Sequence, residues 1–505
     1  MKIVTEDSVD SDALGLILLP RDGLVLERGS DRSAAGAGTF EAADGPFRPY
    51  RRTVESEDTD DGMHRVRQVV EYRADVPFFG RLLDLLARRS MGSLLPSGPP
   101  WWSPPQRLDA QAAQALAALS VLSVVLGYLG TLLTQTMTFA AAEFGAPKSA
   151  QGVALAMVRA DVVIAVAVVA LSDRRGRHRT LVVAAALGCA VTATGALAPS
   201  LFVLAASQVL GRGFVTAAVV IVAIVAAEEM PAGSRAFAVG LLAMWAGLGA
   251  GLAAVFLLPL ADLSEPAWRL LFALALGGLP LLAVVSRRLP ESRRFRAAHP
   301  EAPMAGHGRR FLLLAVSGFL LNLFVAPAAQ FSNEYLRTER GFSAGRIALF
   351  TLITATPGSI GIIVGGRLAE RGRRVVAAVG LVGGVGATVA MYLVSGWPLW
   401  AWSVTGSILG AATVPALGVY GPELFPTSLR GRANGLITVA ARMGSVAGLL
   451  AVGFLATSLD SLGPAMALLA LGPALLAIVV LIAYPETAHQ ELEVLNPEDA
   501  PAPDT

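Results

Sequence analysis

Four charged residues stand inside stretches that otherwise carry almost no charge: Arg159 and Asp161, Arg212, and Arg442. A carboxylate kept from water is costly unless it is paired or protonated. Desolvation raises its pKa, and a neighbouring arginine lowers it. Asp161 could therefore gain and lose a proton as an arginine withdraws and returns, and spare arginines could hold an anion. Arg159 and Asp161 are two positions apart and cannot stack on one helix face. Each needs a partner elsewhere, and Arg212 is the expected partner of Asp161. The competing reading is a permanent ion pair that never titrates.

Helices must place these residues. The chain has 505 residues, of which 54% are hydrophobic and 15% charged, with a mean hydropathy of +0.59 and a net charge of +2. Soluble domains carry nearer a quarter charged residues. Residues 110–484 hold nearly all the long apolar runs. A helix crossing about 30 Å of hydrocarbon needs about 20 such residues, and twelve runs qualify: 112–139, 149–171, 180–197, 200–226, 236–260, 268–286, 310–331, 344–366, 375–395, 398–419, 433–457 and 464–484. At 1.5 Å per residue, Asp161 lies about 18 Å from the nearest arginine-rich loop, and Arg212 and Arg442 about 18 and 14 Å from their helix ends. All three fall near mid-depth. The single cysteine, Cys189, excludes an internal disulfide and any zinc or iron–sulfur site. The acidic start "MKIVTEDSVDSD" is not a secretory signal.

Arginines crowd the loops after even-numbered spans, and few follow odd-numbered ones. Positive residues stay on the cytoplasmic side, so both termini are expected there. The loops also repeat. "LSDRRGRHR" at 171–179 returns as "LAERGRRV" at 368–375, "EEMPAGSR" at 228–235 as "PELFPTSLR" at 422–430, and "LPESRRF" at 289–295 as "YPETAHQ" at 484–490. The offsets are 197 from Asp173 to Glu370, 194 from Glu229 to Glu423 and 195 from Glu291 to Glu486. A glycine pair in span 5, Gly247 and Gly251, returns in span 11 as Gly444 and Gly448, and both pairs are expected at close helix contacts. The chain reads as two six-helix halves built on one plan.

These motifs carry a resemblance. "DRRGR" resembles the loop signature of the major facilitator superfamily, and "YGPELFPTSLRGRANG" with the closing "PET" is similar to its branch of sugar porters, organic-ion transporters and synaptic-vesicle-like proteins. It covers about 110–490 and implies an all-α membrane fold of twelve transmembrane helices in two halves. It also implies gating clusters that hold the outward-open state, carried over onto Asp173, Arg174, Gly176, Arg177, Glu229 and Arg235 in one half and Glu370, Arg371, Arg373, Glu423 and Arg430 in the other. Glu370 replaces the usual aspartate, so the second latch is expected to be weaker. Glu423 and Arg430 are expected to pair with cytoplasmic helix ends of the C-terminal half, as Glu229 and Arg235 do in the other half. Spans 1 and 7 line the cavity of that architecture, which makes Gln135, Asn322 and Gln330 candidate substrate contacts, with Trp245 as a stacking surface and Arg442 as an anion contact. Asp161, Arg212 and Arg159 become candidates for proton coupling. Departures narrow the substrate. Span 7 lacks the sugar porters' glutamine–serine–asparagine pattern, span 1 has no acid before Glu143, and Leu252 stands where the antiporter motif needs proline. A hexose and a drug–proton antiport are both weakened; midplane arginines suit an organic anion or aromatic acid.

The expected organisation is a small α+β cytoplasmic domain at 1–95, a proline-rich linker at 96–109, helical halves at 110–290 and 310–486 joined by a loop at 291–309, and a tail at 487–505. In the first segment "ALGLILLP" reads as a short buried strand. "YRRTVESED" and "HRVRQVVEYRAD" around "TDDG" read as a hairpin, and 76–91 as an amphipathic helix that could lie on the bilayer. The segment faintly resembles helix-grip domains of the polyketide-cyclase type. No nucleotide-binding motif and no nucleophile motif is present, so neither ATP-driven transport nor an enzyme is expected, and no cofactor. The expected function is secondary active transport of a small organic solute, proton-coupled, by a monomer whose partners are the solute, protons and lipid, without nucleic acid. The alternative is a membrane receptor or lipid-handling scaffold whose N-terminal domain binds a ligand.

Overall fold

The computed structural model describes all residues except 35–36, 60–62, 97, 147–149, 151–153, 155–156, 262–264, 297–302, 343, 460 and 500–505. Among the described residues, eleven helices are long and apolar enough to cross a membrane. They are span 1 (Ala110–Met137), span 3 (Arg177–Leu197), span 4 (Leu201–Glu229), span 5 (Ala232–Ala253), span 6 (Trp268–Ser286), span 7 (Gly308–Ser332), span 8 (Leu349–Ala369), span 9 (Arg373–Leu393), span 10 (Trp397–Glu423), span 11 (Arg430–Ala456) and span 12 (Leu462–Ala483). Span 2 is described as the helix Asp161–Arg175. Arg159 and Ala160 form a turn just before it, so the continuous helix expected over 149–171 is interrupted there.

Packing follows the internal repeat. Span 1 packs on span 5, 2 on 4 and 3 on 4; six helices later, 7 packs on 11, 8 on 10 and 9 on 10. The halves meet where span 2 packs on span 11 and span 5 on span 8. Helix association in lipid has no hydrophobic drive and relies on close approach. In span 11 the expected glycines provide it: a Cβ on Gly444 or Gly448 would strike the carbonyl of Phe319 or Leu323. In span 5 they do not. Gly247 and Gly251 meet nothing within 4 Å, and Gly249 instead abuts the Val124 carbonyl, while Gly127 abuts that of Ala246.

The N-terminal domain is a five-stranded antiparallel sheet of β1 (Lys2–Val9), β2 (Leu26–Ala34), β3 (Ala37–Asp44), β4 (Phe47–Asp58) and β5 (His64–Ala74), ordered β1-β5-β4-β3-β2. The expected hairpin is β4–β5; residues 60–62 of its "TDDG" turn lie outside the described residues. The expected strand "ALGLILLP" is not one. Helix α1 (Ser11–Ile17) forms there, capped by Asp10, which accepts a bond from the Ala13 amide at 2.7 Å. A short apolar run carries no periodicity to separate strand from helix, and the cap decides it. Helix α2 (Gly80–Gly92) matches the amphipathic segment.

On one sheet face α1 covers Phe40, Val54 and Val66, and α2 covers Phe47, Val70 and Tyr72. Between these apolar patches runs a buried polar seam. Arg52 donates to Glu27 at 2.8 and 2.6 Å and to the carbonyls of Ile17 and Leu19. Its guanidinium lies 4.1 Å from the Phe40 ring centre. Tyr50 donates to Glu27, and burial, then Glu27, pushes the Tyr50 hydroxyl pKa up. The cavity beside the seam is about 50 Å³, far below the several hundred Å³ that organic ligands need.

The linker is docked. Arg107 pairs with Asp22, Gln106 exchanges bonds with Gly233 and Ser234 at the start of span 5, and Arg367 of span 8 donates to the carbonyls of Pro100 and Ser103 at 2.7 and 2.6 Å. The strap thus touches both helical halves.

Removing one partner of a buried pair strands a charge and costs about 3–5 kcal/mol. Glu27→Gln in the full chain should speed hydrogen exchange of β2 and β4 by at least 100-fold while leaving the helical spans protected. Unchanged exchange in β4 would show that the seam contributes little.

Candidate functional site

Two layers of charge are built on the helices. The inner layer surrounds Asp161, the first residue of the span 2 helix, where the helix N-terminus favours a negative side chain. Its carboxylate is buried at 1% exposure. Oδ2 lies 3.4 Å from Arg442 Nη2 and 4.0 Å from Arg212 Nε, and accepts from Thr216 Oγ1 at 3.1 Å. Oδ1 has no hydrogen-bond partner among the described residues. Arg159 turns elsewhere, donating to Gln330 Oε1 of span 7 at 3.2 Å. Arg212 comes near Asp161 as expected, but Arg442 stands closer.

The other expected contacts scatter. Asn322 donates to the Gly318 carbonyl of its own helix and accepts from Ser445 of span 11, so its amide serves helix packing. Gln135 is exposed on span 1 and has no tie to the cluster. Trp245 packs its ring on Phe79 of the N-terminal domain, with ring centres 5.2 Å apart.

The outer layer closes the arginine-rich end. Asp173 Oδ1 and Oδ2 accept the Gly431 and Arg432 amides at 2.9 and 2.8 Å, capping span 11 from the other half. A Cβ on Gly431 would stand 2.5 Å from Asp173 Oδ1, so only glycine allows this approach. Arg177 holds Asp173, lies 3.5 Å from Glu228, and donates to the Thr427 carbonyl at 2.8 Å. Arg430 donates to Glu228 at 2.5 Å and to Asp499 at 3.2 Å. Glu291 accepts the Arg177 and His178 amides. It needs Gly176, whose φ is +100° and whose added Cβ would lie 2.5 Å from Glu291 Oε2.

The second half repeats this. Glu370 Oε1 accepts the Ala236 and Phe237 amides at 2.6 and 3.3 Å, capping span 5. Arg373 bonds Glu370 and Glu423, and Arg235 lies 3.5 Å from Glu423 and pairs with Glu491. Glu486 accepts the Arg373 and Arg374 amides. Burial pushes the Glu370 pKa above its ordinary value, against the pull of Arg373 and the two amides. Glu370 makes the same inter-half cap as Asp173, so a glutamate does not remove the second latch.

Three expectations need correction. Glu423 binds Arg373 at a helix end of its own half, but Arg430 and Arg235 each also reach an acid of the other half, Glu228 and Glu423. Glu229 is not the counterpart of Glu423; it faces Arg293 and Gln111. The counterpart is Glu228, which the sequence reading missed. A uniform step of 195 residues links Glu228 to Glu423, Arg235 to Arg430 and Glu291 to Glu486, and that register was the available signal. Arg174 and Arg371 are exposed and stand outside both networks.

The sequence profile of the Major Facilitator Superfamily matches residues 116–332 and 311–504. This chain belongs to the Major Facilitator Superfamily. It is therefore a membrane transporter rather than an enzyme. Among curated protein sequences, none matches this one. Solved structures of the superfamily are similar in fold. A proton:xylose symporter, XylE, bound to 6-bromo-6-deoxy-D-glucose is 17% identical, with a TM-score of 0.66 over 77% of this chain and 99% of that one. The human organic anion transporter MFSD10 is 16% identical, with a TM-score of 0.59 over 72% and 99%. The E. coli fucose:proton symporter FucP is 15% identical, with a TM-score of 0.59 over 74% and 100%. At these identities the likeness establishes the shared fold alone.

Hydrogen bonds to a charged group contribute about 1.5–3 kcal/mol each. Gly431→Val and Asp173→Asn should each shift the open and closed populations by at least tenfold. Spin labels at R175C and R432C, two exposed positions flanking the contact, should report a short, narrow distance in the parent and a broadened, longer one in either variant. Superimposable distributions would remove Asp173 from the gate.

Proposed function

We propose that the chain moves a small organic anion across the cytoplasmic membrane by alternating access, driven by protons, with Asp161 as the coupling group. The arginine-rich end and both termini face the cytoplasm, and the state described is closed on that side. The carrying observation is a charge imbalance: Arg442 and Arg212 lie 3.4 and 4.0 Å from one carboxylate, Arg159 stands two residues before it, and among the described residues one oxygen of that carboxylate has no hydrogen-bond partner.

The mechanism follows from electrostatics. With no solute, Asp161 is held by Arg442, Arg212 and its helix N-terminus. An entering carboxylate competes for Arg442 and Arg159, which lie on spans of opposite halves. As Arg442 turns to the solute, Asp161 loses its closest counter-charge and takes up a proton on Oδ1. Anion and proton together add no net charge to the site, which lowers the cost of carrying both through the low-dielectric interior. Rigid helices transmit the change. Asp161 and Asp173 are twelve residues apart on span 2, and Arg430 and Arg442 twelve apart on span 11. The inner pair and the gate therefore lie about 18 Å apart along the same two helices, and a shift of span 11 at one contact loads the other. The absent sugar-porter pattern of span 7 weighs against a hexose.

In proteoliposomes, a panel of aromatic and aliphatic carboxylates should include at least one that drives proton movement, while xylose drives none. Asp161→Asn should abolish solute-driven proton movement yet keep downhill exchange of the same solute, and Arg442→Gln should weaken both by at least tenfold. Persistence of both activities in Asp161→Asn would exclude Asp161 as the coupling group. Loss of both together with the folded protein would mark the pair as structural.

A further inference from the structure

Helix α2 is amphipathic in a way its own domain does not use. Ala87 and Met91 pack on the sheet, and Leu83 turns toward the helical core. The opposite side carries Leu82, Leu85 and Leu86 at 51%, 60% and 42% exposure, preceded by Phe78 at 44%. Three leucines on about one and a half turns, with Phe78 just before the helix, form a patch that a water-facing surface rarely presents. Charge is sorted as well. Arg81, Arg88 and Arg89 are exposed beside the leucines, while the one acid of the helix, Asp84, is turned inward to accept the Ala74 amide at 2.7 Å.

The placement of α2 indicates what covers this patch. Phe79, at its N-terminus, stacks on Trp245. Trp245 is ten residues beyond Arg235, the first residue of the span 5 helix, so the contact lies about 15 Å along that helix from its arginine-rich end. Val76 and Phe79 join the apolar cluster of spans 1, 3 and 4, and Gln114 of span 1 lies 3.4 Å from Asp75. The apolar side of α2 thus continues the outer surface of membrane-crossing helices. The linker adds Trp101, 72% exposed, next to the Pro100 carbonyl that Arg367 binds at the end of span 8. Tryptophan favours the membrane–water boundary.

We propose that α2 lies in the plane of the membrane within the leaflet that borders the arginine-rich end, its leucines among acyl chains and its three arginines against anionic headgroups. An in-plane helix of this kind pairs a strongly apolar face with a basic flank, and anionic lipid attracts each arginine near the surface. The domain then grips spans 1 and 5 from the bilayer, through Phe79 on Trp245 and Asp75 beside Gln114. The inference is independent of the substrate and of Asp161.

The test uses the full chain with Cys189→Ala, carrying an environment-sensitive fluorophore at Leu85→Cys. It is reconstituted into nanodiscs of phosphatidylcholine containing one quarter phosphatidylglycerol. Doxyl-labelled lipid should quench this probe at least threefold more than one at Arg65→Cys, an exposed strand position, and aqueous iodide should show the reverse order. In pure phosphatidylcholine, or with Arg81→Gln, Arg88→Gln and Arg89→Gln combined, lipid quenching at Leu85→Cys should fall by about half. Efficient iodide quenching without lipid quenching would place α2 in water, and protection from both quenchers would mean that protein covers it; either overturns the proposal. Equal lipid quenching with and without phosphatidylglycerol would overturn the anionic-headgroup part.

Discussion

A carboxylate on one helical half capping the first amides of a helix in the other half is the contact that joins the halves at their arginine-rich end. It occurs twice, as Asp173 on span 11 and as Glu370 on span 5. A helix N-terminus offers unsatisfied N–H groups and a partial positive charge. An acid placed there is held by backbone geometry, with an arginine, Arg177 or Arg373, fixing its other side. Apolar packing could not do this work alone, because two lipid-facing helices gain little from meeting each other. A polar cap is strong while water is excluded and weakens once water enters, which suits a contact that must open.

The same constraint explains the small residues. Close approach of Asp173 requires Gly431, and the cap of Glu291 on span 3 requires Gly176 in a left-handed turn. Around these the arginines cross between halves, so Glu228 and Glu423 each see one arginine from their own half and one from the other. Breaking either cluster leaves buried charges without partners, which makes partly open arrangements costly and favours two discrete states.

Much of this was legible in the residue pattern. Hydropathy located the spans because an apolar run of fixed length has few other uses, and the offset between "DRRGR" and "ERGRR" disclosed the duplication. What escaped was decided by contacts the pattern does not encode. Adjacent Glu228 and Glu229 are indistinguishable by composition, and helix rotation alone sends one to Arg430 and the other to Arg293. Gly247 and Gly251 repeat in sequence, yet Gly249 faces span 1. Trp245 looked available to a solute because its packing on Phe79 depends on a domain more than 150 residues earlier. The interruption at Arg159–Ala160 carries no proline or glycine to announce it, and α1 was settled by one capping aspartate.

The end of the chain folds back over the gate. Asp499, sixteen residues beyond Ala483 at the end of span 12, accepts the Thr427 amide at 2.9 Å and binds Arg430, while Glu491 reaches Arg235 in the other half. A group on so short a tether is present at an effective concentration of order millimolar or more wherever it wanders. When the end opens, these carboxylates are released but not lost. Soluble anions at lower concentration are poor competitors for the vacated arginines, and reclosure is a first-order event whose rate is independent of what the surrounding solution contains.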